Sequence, residues 1–374
     1  MIQKIFILGA SGNVGRELVR QIYKNDSTKN HANPSQIVGI ANSKKYIFDS
    51  RGISIELLEK VSKSKDEANK VFDTFGTKIN KLTDLLEVVN KQGLNGEVVF
   101  ADVTAGKDEL LKFHKKLISD TQNFLVTANK NPISLYSMSD FKYLTAYNGR
   151  YDTNTTVMGG AGVLNFVDER VDRIVDKIEK IEGMFSGTLG YIMSELEKLE
   201  KPFSVIVREA KEKGYTEPNP WDDLNGVDVA RKLIILARYA GYNVEMKDVE
   251  IKPLISEKYS KFEGEEFLKS IKREDELFNK KVLSANEQGE VLRYVGEMNC
   301  TGKKVTLKVG IKSIPKNSDL GTLEGTSNLA LVETGILKSP LPHVIKSRGA
   351  GLEVTAGAVR VGIAKMLPNN IKTR

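Results

Sequence analysis

The amino-acid sequence predicts an α/β protein built on a doubly wound parallel sheet, with a second, mixed α+β domain after it. Three observations predict it. An apolar run at 4–8 feeds a glycine turn and an amphipathic helix. Apolar strands and helical stretches then alternate to about residue 150. Beyond that point the order breaks into charged helices and longer strands. Alternation of this kind gives parallel strands with helices on both faces, a Rossmann-type sheet with its ligand edge at the strands' carboxyl ends.

Taken in order, "KIFIL" (4–8) is nearly continuous in apolar residues, as a strand buried on both faces must be. Val14, Leu18, Val19 and Ile22 follow at helical spacing. "QIVGIAN" (36–42) is a second strand, and 53–90 is charged and mostly helical. "EVVFADVTAG" (97–106) and "NFLVTANK" (123–130) are buried strands ending in polar loops, with the helical "DELLKFHKKLISD" between them. Strand-like "NTTVMGG" (154–160) and "KIEKIEGMFSG" (177–187) open the second region, followed by helical "TLGYIMSELEKLE" and "SVIVREAKEKG". A charged helical segment at about 257–280 precedes strands in "EVLRYVGEMN" and "KKVTLKVGIK". "GAGLEVTAGAVRVGIAKML" is a glycine turn feeding a last helix. The expected division is a dinucleotide-binding domain at 1–150, completed by a helix within 345–374, and a second domain at 151–344.

A chain of 374 residues suits two domains. One cysteine, Cys300, excludes an internal disulfide framework and fits a reducing, cytoplasmic setting. "MIQKIFILGASG" reads as a strand rather than a leader peptide, and no apolar run is long enough for a membrane helix. The net charge is +7, yet lysines and acids alternate along most of the chain and no basic run is interleaved with aromatics. That pattern is a solvated charged surface, not a nucleic-acid site.

The turn "GASGNVG" (9–15) sets Gly9, Gly12 and Gly15 between the first strand and the first helix. Glycines let the backbone approach a pyrophosphate, and the helix start supplies free N–H groups and positive potential. Gly9, Ser11, Gly12, Asn13 and Val14 are the candidate phosphate contacts. The spacing G-x-x-G-x-x-G is one residue longer than the commonest dinucleotide fingerprint. The second strand runs into Asn42, Ser43, Lys44 and Lys45, with no carboxylate before Asp49 to bind an unphosphorylated ribose. This favours NADP over NAD; the alternative is that the two lysines simply begin a solvated loop. Thr104 and Ala105, at the next strand's carboxyl end, border the same cofactor site.

The stretch "GYTEPNPWDDLNGVDVARKLIILAR" (214–238) carries the densest chemistry. Val229, Leu233, Leu236, Ala237 and Ala240 form one apolar stripe, and Asp228 and Lys232 lie on another face. Asn225 reads as the N-cap, with Asp228 three residues on. One reading stops there, with an ordinary i,i+4 surface pair. The approach argues for more. Glu217, Asp222 and Asp223 arrive on a loop stiffened by Pro218 and Pro220. A rigid acidic lead-in to a lysine suits an amino-bearing substrate, with carboxylates for its ammonium and a lysine to handle a proton.

This stretch resembles the signature of the homoserine dehydrogenases. "IEGMFSGTLGYI" (181–192), "TANKNPIS" (127–134) and "RGAGLEVTAGAV" (348–359) are similar to further segments of that family in the same order. The resemblance covers essentially the whole chain. It implies the reversible NAD(P)-dependent interconversion of L-homoserine and L-aspartate 4-semialdehyde in threonine, methionine and isoleucine biosynthesis. It also implies a Rossmann domain joined to a substrate and dimerisation domain, hence a homodimer. By the same resemblance Lys232 matches the catalytic lysine, Asp228 the acid on its helix, and Lys130 a second active-site lysine that also borders the cofactor. Glu217 and Asp223 match substrate-binding acids, Gly187 and Thr188 a loop near the substrate, and Gly349, Ala350 and Gly351 a turn facing the cofactor. Some family members place a glutamate before "GGAG" that helps hold a monovalent cation. Thr156 stands there instead, so no metal ligand is assigned, though carbonyls around Gly159–Gly162 keep a monovalent cation open. His31, His114 and His343 sit in no motif, and no imidazole base is invoked. The reading is of a monofunctional enzyme without an aspartate kinase domain. The alternatives are another NAD(P)-dependent dehydrogenase of an amino-acid semialdehyde, and a catalytically inactive nucleotide sensor. Aspartate-semialdehyde dehydrogenase requires a cysteine nucleophile, for which Cys300 in "GEMNCTG" is badly placed.

Overall fold

The computed structural model describes residues 2–27, 34–146, 149–335, 341–349 and 351–366; His31 and Ala350 lie outside these. The chain forms two compact units, Met1–Gly160 with Gly351–Arg374, and Ala161–Ala350.

The first unit carries strands β1 (Gln3–Leu8), β2 (Ser35–Ala41), β3 (Lys45–Phe48), β4 (Thr77–Lys78), β5 (Val98–Asp102), β6 (Phe124–Thr127) and β7 (Tyr151–Asp152). Their order in the sheet is β4-β3-β2-β1-β5-β6-β7. β2, β1, β5, β6 and β7 run parallel, and β3 and β4 add antiparallel edges. The chain leaves β1 for β2 on one side and later returns to lay β5 on the other. That reversal is a topological switch point, with its crevice beyond the carboxyl ends of β1 and β5. Ile5, Ile7, Ile37, Val99 and Val126 bury the sheet against Leu18 and Val19 of helix Asn13–Gln21. Gly15 is required there, because a Cβ would lie 2.1 Å from Gly9 O and push the helix off the turn.

Helix Leu352–Lys365 packs on helix Asn13–Gln21. Arg360 donates through Nε to Asp26 Oδ2 at 2.7 Å and pairs through Nη2 with Oδ1. Gln3 Nε2 donates to Ile363 O at 2.6 Å.

The second unit holds β8 (Ile178–Met184), β9 (Val249–Ile251), β10 (Glu290–Thr301), β11 (Lys304–Pro315), β12 (Asn328–Thr334) and β13 (His343–Ser347), ordered β13-β12-β8-β10-β11-β9. All neighbours are antiparallel except β9 and β11. Helices Gly187–Glu197, Val227–Tyr239 and Asp275–Glu287 pack on β10.

Two expectations and one alternative need correction. "NTTVMGG" is not a strand: 154–156 and 158–160 are single 3-10 turns, because Met158, Gly159 and Gly160 adopt φ of 52°, 57° and 80° and cannot extend. The N-cap of helix Val227–Tyr239 is Gly226, at φ 76°, not Asn225; Asn225 Oδ1 accepts from Val227 N at 2.8 Å. Lys45 does not continue a loop. It opens β3 and pairs with Asp73 at 2.8 Å.

Gly226 also faces a crowded wall. A Cβ there would lie 2.1 Å from the hydroxyl of Tyr294, which is buried and donates to Lys252 O at 2.9 Å. The left-handed backbone and the overpacking add, so Gly226→Ala is expected to destabilise the protein by about 2–5 kcal/mol, read by urea denaturation.

Candidate active site

The residues singled out from the sequence divide between the two units. In the first unit the glycine turn is pinned from the strand side: the N–H groups of Gly9 and Ala10 both donate to Ala41 O at 2.9 Å. Gly12 caps helix Asn13–Gln21 with an extended backbone and no side-chain cap, and the first helical turn carries no acid. The N–H groups around Asn13 and Val14 therefore keep the positive end of the helix open to an anion. Ser11 is half-buried in the turn, and its carbonyl accepts from Arg16 Nη1 at 2.8 Å.

Asn42 closes the β2–β3 hairpin, its Oδ1 accepting from Lys44 N at 2.8 Å and Lys45 N at 2.7 Å. Ser43 and Lys44 stand exposed at the tip. With Lys45 drawn to Asp73, Lys44 is the lysine of the pair presented there.

At the end of β5, Asp102 is fully buried. It accepts from Thr104 N (2.9 Å) and Thr104 Oγ1 (2.7 Å), and from Thr127 Oγ1 (3.2 Å). His114 Nε2 lies 3.1 Å from Oδ2, the oxygen that also accepts from Thr127, and His114 Nδ1 lies 3.0 Å from the Tyr151 hydroxyl. This carboxylate fixes the loop that Thr104 and Ala105 occupy. Asn129 Nδ2 donates to Gly106 O and Asn131 Nδ2 to Ala105 O and Gly106 O, at 3.0–3.1 Å. Lys130, between these two asparagines, caps the short helix Asn131–Ser134. The sequence reading passed over Asp102 and His114. Their signal is the polar pair itself, an acid at the end of a buried strand and a histidine on the buried side of the next helix.

In the second unit, Lys232 is buried on helix Val227–Tyr239. Its Nζ donates to Phe185 O at 2.7 Å and lies 2.7 Å from Asp228 Oδ2. The expected i,i+4 pair is present, but it is no surface pair: the lysine side chain is 10% exposed against 41% for the aspartate. Asp223 Oδ2 accepts from Glu217 N at 2.8 Å and Oδ1 from Thr188 Oγ1 at 3.1 Å. Burial pushes the Asp223 carboxyl up to about 6; the two hydrogen bonds oppose that rise, and the charges of Glu217 and Asp228 add to it. The Glu217 residue itself is exposed. Gly187 starts its helix against Thr326 O, where a Cβ would lie at 3.1 Å. Gly349 meets the same carbonyl still more closely, its Cβ position only 1.7 Å away. Gly351, in the first unit, caps helix Leu352–Lys365 without a side-chain bond. Thr156, in the first unit, donates its hydroxyl to Thr153 O at 2.6 Å.

The Homoserine dehydrogenase family model matches residues 164–363, which carry Lys232, Asp228, Asp223, Glu217 and Thr188. The chain belongs to the homoserine dehydrogenase family. A carrot (Daucus carota) bifunctional aspartokinase/homoserine dehydrogenase is 32% identical over 88% of this chain and 34% of its own length. The chain spans about a third of the length of the first such curated relatives. A Candida auris protein of unknown function has the same fold, with TM-score 0.82 and 27% identity over 98% of both chains. A hyperthermophilic archaeal homoserine dehydrogenase solved with NADPH shares the fold at TM-score 0.70 and 21% identity, covering 99% of each chain. No helix among the described residues is long and apolar enough to cross a membrane.

The raised Asp223 carboxyl has a stability consequence. Its folded value exceeds the unfolded 3.8, so the folded state holds the proton more tightly and stability falls as pH rises from about 4 to about 6. Thr188→Val removes a bond that favours the charged form and is expected to move the Asp223 titration above 6, followed by carbon NMR of its carboxyl.

Proposed function

We propose that the protein is a homoserine dehydrogenase, oxidising L-homoserine to L-aspartate 4-semialdehyde and reducing it back, with NADP preferred over NAD. The observation that carries this reading is the Lys232 amine, buried beside Asp228 and Phe185 O, with Asp223 and Glu217 on the adjoining loop.

The cofactor belongs to the first unit. The open helix start at Gly12–Val14 would hold its pyrophosphate, and Ser43 and Lys44 a ribose 2′-phosphate. Thr104, Ala105, Lys130 and Gly351 would border the nicotinamide side. The nicotinamide supplies or accepts the hydride at C4. The relative solved with NADPH supports cofactor use of this kind.

The amino acid belongs to the second unit. Glu217 and Asp223 supply negative charge for its ammonium, and Gly187 and Thr188 approach its backbone. Lys232 handles the proton. In the reducing direction its ammonium donates to the carbonyl oxygen as negative charge develops there. In the oxidising direction the neutral amine takes the proton of the hydroxyl. Asp228 favours the charged amine and burial opposes it. An ordinary lysine is charged at neutral pH, so oxidation requires its deprotonation and runs best in base. The protein is proposed to act as a homodimer through the second unit's sheet and to reside in the cytoplasm, with a small-molecule substrate and neither nucleic acid nor membrane as partner.

A turnover assay with homoserine and NADP tests this directly. Lys232→Ala is expected to lower kcat about 10²–10⁴-fold with NADPH still binding; undiminished turnover would assign the proton elsewhere. Lys44→Ala is expected to weaken NADPH about tenfold and leave NADH unchanged, by fluorescence titration.

A further inference from the structure

Asn328 opens β12 and is 1% exposed, yet its Oδ1 meets no hydrogen-bond partner among the described residues. A buried, unpartnered acceptor is costly in a native protein and points to a bound donor. Its direction follows from the strand. Leu329 joins Met184, Val295 and Ile314 in the apolar cluster on one face of the sheet, so Asn328 turns to the other. Ala330, on Asn328's face, is paired with Gly183 and Gly183 with Gly296. A Cβ at Gly296 would lie 3.2 Å from Val229 of helix Val227–Tyr239. Asn328 therefore lies on the sheet face that the helix carrying Lys232 covers. Its height follows from the ladder. Leu329 pairs with Met184, so one rung further Asn328 stands opposite Phe185, whose carbonyl receives Lys232 Nζ. Ser347, paired with Asn328 on the other side, also has a buried Oγ without a partner.

We propose that Asn328 Oδ1 accepts a hydrogen bond from the hydroxyl of the bound alcohol and so selects an amino acid that carries a terminal oxygen. The proposal rests on the homoserine dehydrogenase reading and deepens it. When Lys232 is an ammonium, it donates to the hydroxyl oxygen, and the hydroxyl's own O–H then needs an acceptor. Asp228 Oδ2 and Phe185 O are engaged by the lysine; Asn328 Oδ1 is a buried acceptor that no described residue engages. Ser347 lends it a second polar neighbour. An amino acid lacking the oxygen offers nothing to either group.

The test is calorimetric titration of the whole chain, with NADPH present so that no turnover occurs, using L-homoserine and L-2-aminobutyrate, the same amino acid without its hydroxyl. Asn328→Leu keeps the branched outline of the side chain and removes the acceptor. It is expected to weaken homoserine about tenfold, leave 2-aminobutyrate unchanged, and melt no lower than the parent, since an unpartnered polar atom is gone. Asn328→Ala serves the same comparison if the leucine does not pack. Equal weakening of both ligands would place Asn328 at the ammonium or carboxylate and overturn the proposal, as would unchanged affinity for homoserine. Failure of the parent protein to bind homoserine at all would instead overturn the functional reading on which the proposal rests.

Discussion

A lysine whose side chain is nine-tenths withdrawn from water must find acceptors for its N–H groups, and the second unit is arranged around that demand. An isolated buried ammonium is far too costly to persist. Asp228 supplies the countercharge from one turn earlier on the same helix, and Phe185 supplies a neutral carbonyl from the end of β8. Each constrains the fold. The helix must start at Gly226 so that Asp228 falls in its first turn, and Gly226 holds that start because its left-handed backbone and lack of a Cβ fit beneath Tyr294. β8 must end at Met184 so that the next carbonyl turns toward the helix instead of into the ladder.

The first unit solves a related problem with the opposite sign. Asp102 is a fully buried carboxylate, satisfied by Thr104, Thr127 and His114. It ties together the ends of β5 and β6, the two strands whose carboxyl-terminal loops hold Thr104, Ala105 and Lys130. The asparagines flanking Lys130 extend the same net to Ala105 and Gly106. Loops at a ligand edge are ordinarily the mobile part of such a sheet; here a buried, hydrogen-bonded carboxyl group braces them.

Much of this was legible in the residues and some of it was not. Continuous apolar runs identified β1, β2, β5 and β6, since burial on both faces leaves little choice of side chain. The short strands β3, β4, β7 and β9 carry no such signature: they are edges or stubs whose pairing is decided by their neighbours. "NTTVMGG" misled because its threonines and valine favour strands, while the backbone signs set by its glycines do not. At the site, Lys232, Asp228 and Asp223 stood out through spacing and the acidic lead-in. Phe185 contributes only a main-chain oxygen, which no side-chain pattern advertises. Asn328 looks in sequence like a turn residue before a strand, and its environment emerges only when β12 is laid beside β8.

The first unit is discontinuous along the chain, since helix Leu352–Lys365 packs on helix Asn13–Gln21 and holds Asp26 and Gln3 through Arg360 and Ile363. Roughly 190 residues of the other unit intervene. Helix Asn13–Gln21 and helix Leu352–Lys365 lie roughly 330 residues apart along the chain, so at about 5–20 residues per second of synthesis the glycine turn and its helix wait about 17–66 s for their covering partner to emerge. During that interval Val19, Ile22 and the neighbouring apolar side chains lack their final shield, so the nascent chain offers chaperones a binding surface that the finished molecule conceals.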